Sequence, residues 1–367
     1  MILPSAVDWM ELRYFILRRI LLLIPTILGL SIFMFILIEA VPKAILVTPY
    51  INPHVQIPYI IQEQNALKLL GFNYPPPIAY LFYLDRLFHG DLGLMSMPGY
   101  PNSVSAAIID ALPNTIQLTI FASIVSIAIA IPLGTYIGAR PNSVADQASR
   151  VFSLTGYAIP AFWLALLLQL ALGKGTIFGN PFGVLPISGS YNPSLIPYPA
   201  PSWFVNGYTD PTHLVIFDSL IHGDIPLFFD ALEHIVLPVL TLTYGLLAGI
   251  LRFMRAGMVD ASNQEYVKTA RSKGVPEKLV IKKHIRKNAM IPTVTVMGLL
   301  VAGLLGGVVL VEYVFSYPGM GYLTTQGILS YQVWLIIGTT LVFGLILVMT
   351  NLVVDVVYAL TDPRIRY

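Results

Sequence analysis

Cysteine is absent from the 367 residues, so no disulfide staples any loop and no thiolate metal site exists. Charge is scarce as well. Asp, Glu, Lys and Arg make up 11% of the chain, against roughly a quarter of an average soluble domain. With 56% hydrophobic residues and a mean hydropathy of +0.74, water is not the main solvent of this chain. No Gly-x-x-x-x-Gly-Lys-Ser/Thr loop is available to cradle ATP phosphates; Gly173-Lys174-Gly175 lacks the upstream glycine. There is no His-Glu-x-x-His zinc helix and no Gly-x-Ser-x-Gly elbow, which leaves an intramembrane enzyme without a nucleophile, base or metal constellation. Asn192 is followed by proline, so no glycosylation sequon is usable, and no internal repeat is evident. The net charge of +2 gives nucleic-acid binding no support.

What is present is length without charge. Six stretches, 20–38, 115–139, 151–172, 235–251, 290–311 and 333–354, hold no Asp, Glu, Lys or Arg. At 1.5 Å per residue a membrane crossing takes roughly 17 to 25 such residues. The expectation is an all-α membrane protein with six transmembrane helices, multi-pass in the plasma membrane. Arg18-Arg19 before the first run resembles a secretory signal, but the run is longer than a usual signal core and no small-x-small cleavage site follows, so it reads as a retained helix. Lys and Arg resist translocation. With the N-terminus inside, only Lys43, Lys68, Arg86 and Lys174 fall on the outer side. Both termini are therefore expected in the cytoplasm, with two long extracytoplasmic segments.

The resulting division is 1–41 for the N-terminus and first span, 42–114 outside, 115–172 for spans two and three, 173–233 outside and proline-rich, and 234–367 for the last three spans with an inner loop at 257–289. The first outer segment is long enough for short helices opening at Pro58 and Pro77, and the second should be extended or turn-rich. Pro25, Pro132, Pro160, Pro238 and Pro292 fall within spans, where packing or helix-end geometry accounts for them better than a hinge does. The spans contain no His either, so a proton-coupled carrier lacks its usual mid-membrane group; a sodium-coupled carrier using backbone carbonyls stays open.

The inner loop carries the most information. Ser262 with Glu265 predicts a capping box opening a short helix, and Gly274 followed by Pro276 predicts its end and the start of a second. On that second helix Val280, Ile281, His284, Ile285 and Asn288 share one arc, while Lys278, Lys282, Lys283, Arg286 and Lys287 share the other. The four cations Lys282, Lys283, Arg286 and Lys287 read first as topology or lipid-headgroup contacts. Glu312 beside an aromatic, proline-containing turn reads either as a cap on 313–319 or as a group contacting a peptide terminus or a gate. Asn351, Asp355 and Tyr358 share a face suited to interhelix hydrogen bonds.

The run from Glu265 through Tyr266, Val267, Lys268, Thr269, Ala270, Arg271, Ser272 and Lys273 to Gly274, with His284, Asn288, Ala289 and Pro292, resembles the coupling loop of binding-protein-dependent ATP-binding-cassette permeases. Lys268-Thr269-Ala270 stands where the general form has Glu-Ala-Ala, and His284 where it has isoleucine, as in the dipeptide/oligopeptide version. Further resemblance lies in Ile24-Pro25, Gly90-Asp91-Leu92-Gly93, Leu112-Pro113-Asn114-Thr115, Ile159-Pro160-Ala161-Phe162-Trp163, Phe315-Ser316-Tyr317-Pro318-Gly319 and Asp362-Pro363-Arg364. It covers most of the chain outside 173–233. It implies half of a translocation pore for peptides, with coupling to an ATPase through Glu265, Tyr266, Thr269, Ala270, Arg271, Lys273 and Gly274, and Glu312, Phe315 and Pro318 as pore or gate candidates. It also implies a second homologous permease, two cytoplasmic ATPases that hold ATP and magnesium, an extracytoplasmic substrate-binding protein, membrane lipid as surroundings, and no cofactor in this chain. Family members carry dipeptides, longer peptides, nickel chelates or oligosaccharides, and the sequence does not choose among them.

Overall fold

A computed structural model describes residues 6–174, 183–197, 199–205 and 208–361. The first span is α1 (Ala6–Ala40). Beyond it the chain folds α2 (Lys43–Val47), α3 (Tyr59–Leu69) and α4 (Pro76–Phe88), so the two short outer helices open beside Pro58 and at Pro76. The second span is α5 (Val104–Gly138), started by Ser103, whose hydroxyl accepts from the Ala106 N–H. At about 1.5 Å per residue its 35 residues reach well past a slab of roughly 30 Å.

The third span is broken. α6 (Val144–Ala158) and α7 (Ala161–Leu172) meet at a bend of 109° instead of forming the straight run expected at 151–172. Pro160 lacks an N–H and disfavours helical backbone at the preceding residue, and Ile159 accordingly turns extended at φ −85°, ψ 120°. Pro25, Pro132, Pro238 and Pro292 instead stay within continuous helices. Among the described residues five helices are thus long and apolar enough to cross a membrane, or six if the bent pair is one span.

Beyond α7 the described stretches 183–197 and 199–203 run as turns and bends to a minimal hairpin of β1 (Phe204–Val205) and β2 (Tyr208–Thr209), then α8 (Val215–Ile221). Buried Asp218 organises this region by accepting from the hydroxyls of Thr209 (2.6 Å) and Thr212 (2.8 Å) and from the Thr212 N–H. Capped by Asp224, α9 (Ile225–Ser262) is the fourth span. It is the central helix: 72% of its most apolar window is buried, against 17% for α1. Glycines bring it close to its neighbours. A Cβ at Gly138 would lie 2.4 Å from the Met258 Cβ, and one at Gly156 2.4 Å from the Ala248 Cβ.

The remaining elements are α10 (Glu265–Ser272), α11 (Glu277–Leu279), a π-helical turn at Val280–Ile285, α12 (Arg286–Val314), α13 (Met320–Leu329) and α14 (Val333–Thr361). Separate apolar clusters close the two ends. One gathers Phe35, Leu46, Tyr83, Met95 and Trp334; the other gathers Met254, Met258, Val267, Val280 and Ile285 at the end rich in Lys and Arg, called the basic end below. Asp355 of α14 pairs with Arg19 of α1 at 2.9 Å, an interhelix contact of the expected kind. The side chain of Tyr358 and the motif Asp362-Pro363-Arg364 lie outside the described residues.

Candidate functional site

At the basic end α9 continues as helix through Ser262, whose hydroxyl donates back to the Val259 carbonyl at 2.8 Å. The expected capping box therefore does not form. Gln264 in extended conformation precedes α10, and no side chain caps it. The end of α10 follows the sequence closely. Gly274 takes φ +74°, its N–H bonds to the Arg271 carbonyl (2.9 Å), and the Val275 N–H bonds to the Ala270 carbonyl (3.2 Å). That paired closure satisfies two carbonyls of the last turn and requires the left-handed residue that glycine supplies without strain. Pro276 then ends the turn just before α11. Arg271 clasps Glu277 across the turn with two parallel bonds of 2.7 and 3.1 Å, which raises the basicity of Arg271 and holds the Glu277 carboxyl below its usual range.

One face of α10 is seated. Val267 and Ala270, three apart, are buried with Met254, Met258 and Ala261 of α9 and with Val280, Ile285 and Ala289. Val280 and Ile285 are five apart. On a regular α-helix they would point roughly 140° from each other, whereas a π turn, bonding i to i+5, brings both into the seat. The expected regular second helix is thus replaced by the π-turned start of the fifth span. Asn288, expected on the docking arc, is exposed and donates to the His284 carbonyl at 2.7 Å.

The other face of α10 is open. Glu265, Tyr266, Thr269, Arg271 and Lys273 are exposed, as is the Gly274 turn, with empty space where a Cβ would be. Of the seven predicted coupling residues only Ala270 turns inward, where it serves the seat. The arrangement is a short rigid helix, fixed by apolar contacts on one side and by a glycine turn and an arginine clasp at its end, that presents a polar surface.

Next to it lies a cluster that sequence reasoning missed. The Asp146 carboxylate at the start of α6 is fully buried and accepts from Arg255 Nε (2.5 Å) and Nη2 (3.0 Å), Arg150 Nη2 (2.7 Å) and the Asn142 N–H (2.9 Å). It ties α6 to α9 beside Met254 and Met258 of the α10 seat. Its local half was signalled by Ser143 three residues before Asp146 and Arg150 four after; Arg255, 109 positions away, had no such signal.

At the opposite end the three pore or gate candidates form a closed knot. Glu312 is buried, accepting from the Thr115 hydroxyl (2.7 Å) and the N–H groups of Gly321 (2.6 Å) and Tyr322 (3.2 Å). It therefore caps α13, the next helix, and not the turn 313–319. Thr115 accepts from the Met320 N–H, and Asn114 donates to the Pro318 carbonyl at 3.2 Å. Phe315 is buried, and its carbonyl accepts from the Gly189 N–H. Gly319 is required for approach: a Cβ there would lie 2.3 Å from the Glu312 carboxylate. A second fastening at this end explains the Gly90-to-Gly93 motif. Asp91 accepts from Arg86 (2.8 Å) and from the Gly93 N–H (2.8 Å), Arg86 lies over the Trp334 ring at 4.9 Å, and Gly93 faces that same ring. Burial works to raise the Asp91 pKa, but the Arg86 bond and charge with the Gly93 N–H outweigh it, and the carboxyl is held below its ordinary range. Among the described residues no group of three His, Asp or Glu side chains is placed to hold a metal.

The family model described as binding-protein-dependent transport system inner membrane component matches residues 130–367, which include α10, its seat and Glu312. The chain is 30% identical to the oligopeptide transport system permease protein AppB of Bacillus subtilis, over 96% of this chain and 99% of that one. It is 34% identical to the dipeptide transport system permease protein DppB of Alkalihalophilus pseudofirmus, over 95% and 98% of the two chains. To the DppB of Escherichia coli it is 30% identical, over 96% and 98%.

Proposed function

This chain belongs to the family of inner membrane components of binding-protein-dependent transport systems, and on that premise we propose that it forms half of the pore of an ATP-driven peptide importer, with α10 as its coupling helix. The observation that carries the coupling role is the split between the two faces of α10. Val267 and Ala270 are locked to α9 and to the start of the fifth span, while Glu265, Tyr266, Thr269 and Lys273 face outward. A force on the outer face is passed directly to two spans. The basic end lies in the cytoplasm, where two ATPases hold ATP and magnesium, and a substrate-binding protein delivers peptide at the other end to this chain and a second permease. Closure of the ATPases pushes α10 and favours one of two packings of the spans. In the conformation described, the knot around Glu312 is shut, so opening the outer end requires Glu312, Thr115 and the start of α13 to separate.

Because the chain has no cysteine, a single introduced thiol reports without background. Thr269→Cys should be joined by a short bifunctional thiol reagent to a thiol in the ATPase groove, and Ser194→Cys, exposed on the loop before β1, should not. Cross-linking at Ser194 and none at Thr269 would reverse both the orientation and the coupling role.

A further inference from the structure

Between α6 and α9 at the basic end lies a cleft of about 300 Å³, whose lining includes the cations Arg150, Arg252 and Arg255 and the apolar bodies of Leu154, Tyr157 and Leu251. Its charge is unbalanced. Among the described residues Asp146 is the one carboxylate bonded to these guanidinium groups; it takes both bonds of the Arg255 fork and one from Arg150. Among the described residues no carboxylate pairs with Arg252, whose charged group lies 5.8 Å from the Tyr157 ring. The cleft thus keeps an excess of positive charge.

Its depth is fixed by the sequence. Arg150 is the residue immediately before the uncharged run 151–172, and Arg252 the residue immediately after the uncharged run 235–251. Arg252, at the end of the apolar part of the continuous helix α9, therefore stands where hydrocarbon gives way to headgroups, and Arg150 lies across the cleft from it on α6, which packs against α9. Leu154, Tyr157 and Leu251 continue the cleft toward the hydrocarbon side, and Val151 and Leu154 are largely exposed there. Cations at the boundary with an apolar wall beyond them match a ligand that carries a phosphate at one end and an acyl chain at the other. Arg255 and Arg150 are already held by Asp146, and Arg150 also by the Asn142 side chain (3.3 Å), so little ordering is required on binding.

We propose that the cleft between α6 and α9 is a binding site for the phosphodiester of an anionic phospholipid, held by Arg252 and Arg150 with its acyl chain along Leu154 and Tyr157. The bound lipid bridges the two helices beside the α10 seat. The groove of Lys282, Lys283, Arg286 and Lys287 differs from it: apart from Met290 it has no apolar wall, and among the described residues no carboxylate fixes its cations, so it attracts anionic headgroups without selecting one.

The test uses the assembled transporter containing the full chain, in detergent, with phosphatidylglycerol offered against an excess of phosphatidylcholine and read by native mass spectrometry. The unaltered complex should retain phosphatidylglycerol selectively. R252Q should weaken that retention roughly tenfold, the loss of one charge-assisted interaction, while K282Q/K283Q should change it little. Three results overturn the site: equal retention of phosphatidylcholine, loss of retention in K282Q/K283Q but not in R252Q, or displacement of the retained phosphatidylglycerol by inorganic phosphate alone. The competition on the unaltered chain needs no variant, so misfolding of R252Q does not protect the proposal.

Discussion

Removing the Arg255 guanidinium leaves the Asp146 carboxylate enclosed with one partly exposed arginine and one backbone N–H. Because an enclosed carboxylate that loses a bidentate partner keeps its desolvation penalty, Arg255→Ala should cost about 2 kcal/mol in unfolding free energy, and Arg255→Lys part of that, since a single ammonium does not reproduce the fork. Unfolding in detergent followed by tryptophan fluorescence measures both. Asp91 gives a test with a pH sign. Its folded-state pKa lies below the unfolded value of about 3.9, so its contribution is complete above that pH and is lost as pH falls through the folded value. The stability difference between the natural chain and Asp91→Asn should therefore be constant from neutral pH to about 5 and shrink in stronger acid; a difference that grew on acidification would contradict the Arg86 clasp. Gly274 fails differently from either. There is room for a side chain, but its φ of +74° costs any other residue about 1 kcal/mol, so Gly274→Arg should still insert and fold while placing a charge on the outward surface of the turn.

At the scale of elements, α10 works only while seated. Val267→Asp places a carboxylate among Met254, Met258 and Val280 and should unseat the helix at a local cost of ~3 kcal/mol, leaving ATP hydrolysis running without uptake. Hydrolysis and uptake measured on the same vesicles check this; uptake at the unaltered level would show that the seat is dispensable. The end of this helix was legible because Gly274 and Pro276 encode a left-handed residue and a stop. Its start was not: Ser262 and Glu265 have capping-box spacing, yet α9 continues through Ser262, and a serine in helical backbone cannot cap. The π turn is not legible in the sequence because a 3.6-residue period already gathers Val280, Ile281, His284 and Ile285 on one arc; the burial of both Val280 and Ile285 reflects it in the structure. The six apolar runs were readable because hydrocarbon excludes charge, but a charge-free run reads alike whether straight or bent by 109° at Ile159 and Pro160. The sequence around Glu312 suggests a cap on 313–319 or a contact with a peptide terminus or gate; the carboxylate caps the start of α13 instead, which depends on a chain reversal that no local pattern encodes.

For the whole molecule, the proposed role makes α10 at the basic end the point where force enters and the knot around Glu312 at the other end the part that has to open. In the proposed role energy arrives from a partner ATPase; the sequence carries no Gly-x-x-x-x-Gly-Lys-Ser/Thr loop, and the six apolar runs hold no Asp, Glu, Lys, Arg or His. The most direct test of that claim is solute accumulation in vesicles containing the permease pair and its ATPases, with peptide and the substrate-binding protein supplied, compared between the natural chain and Gly274→Arg. Accumulation should require ATP in the natural complex and fall to background in the variant while hydrolysis persists; accumulation against a gradient without the ATPases, or normal accumulation by the variant, would contradict the account.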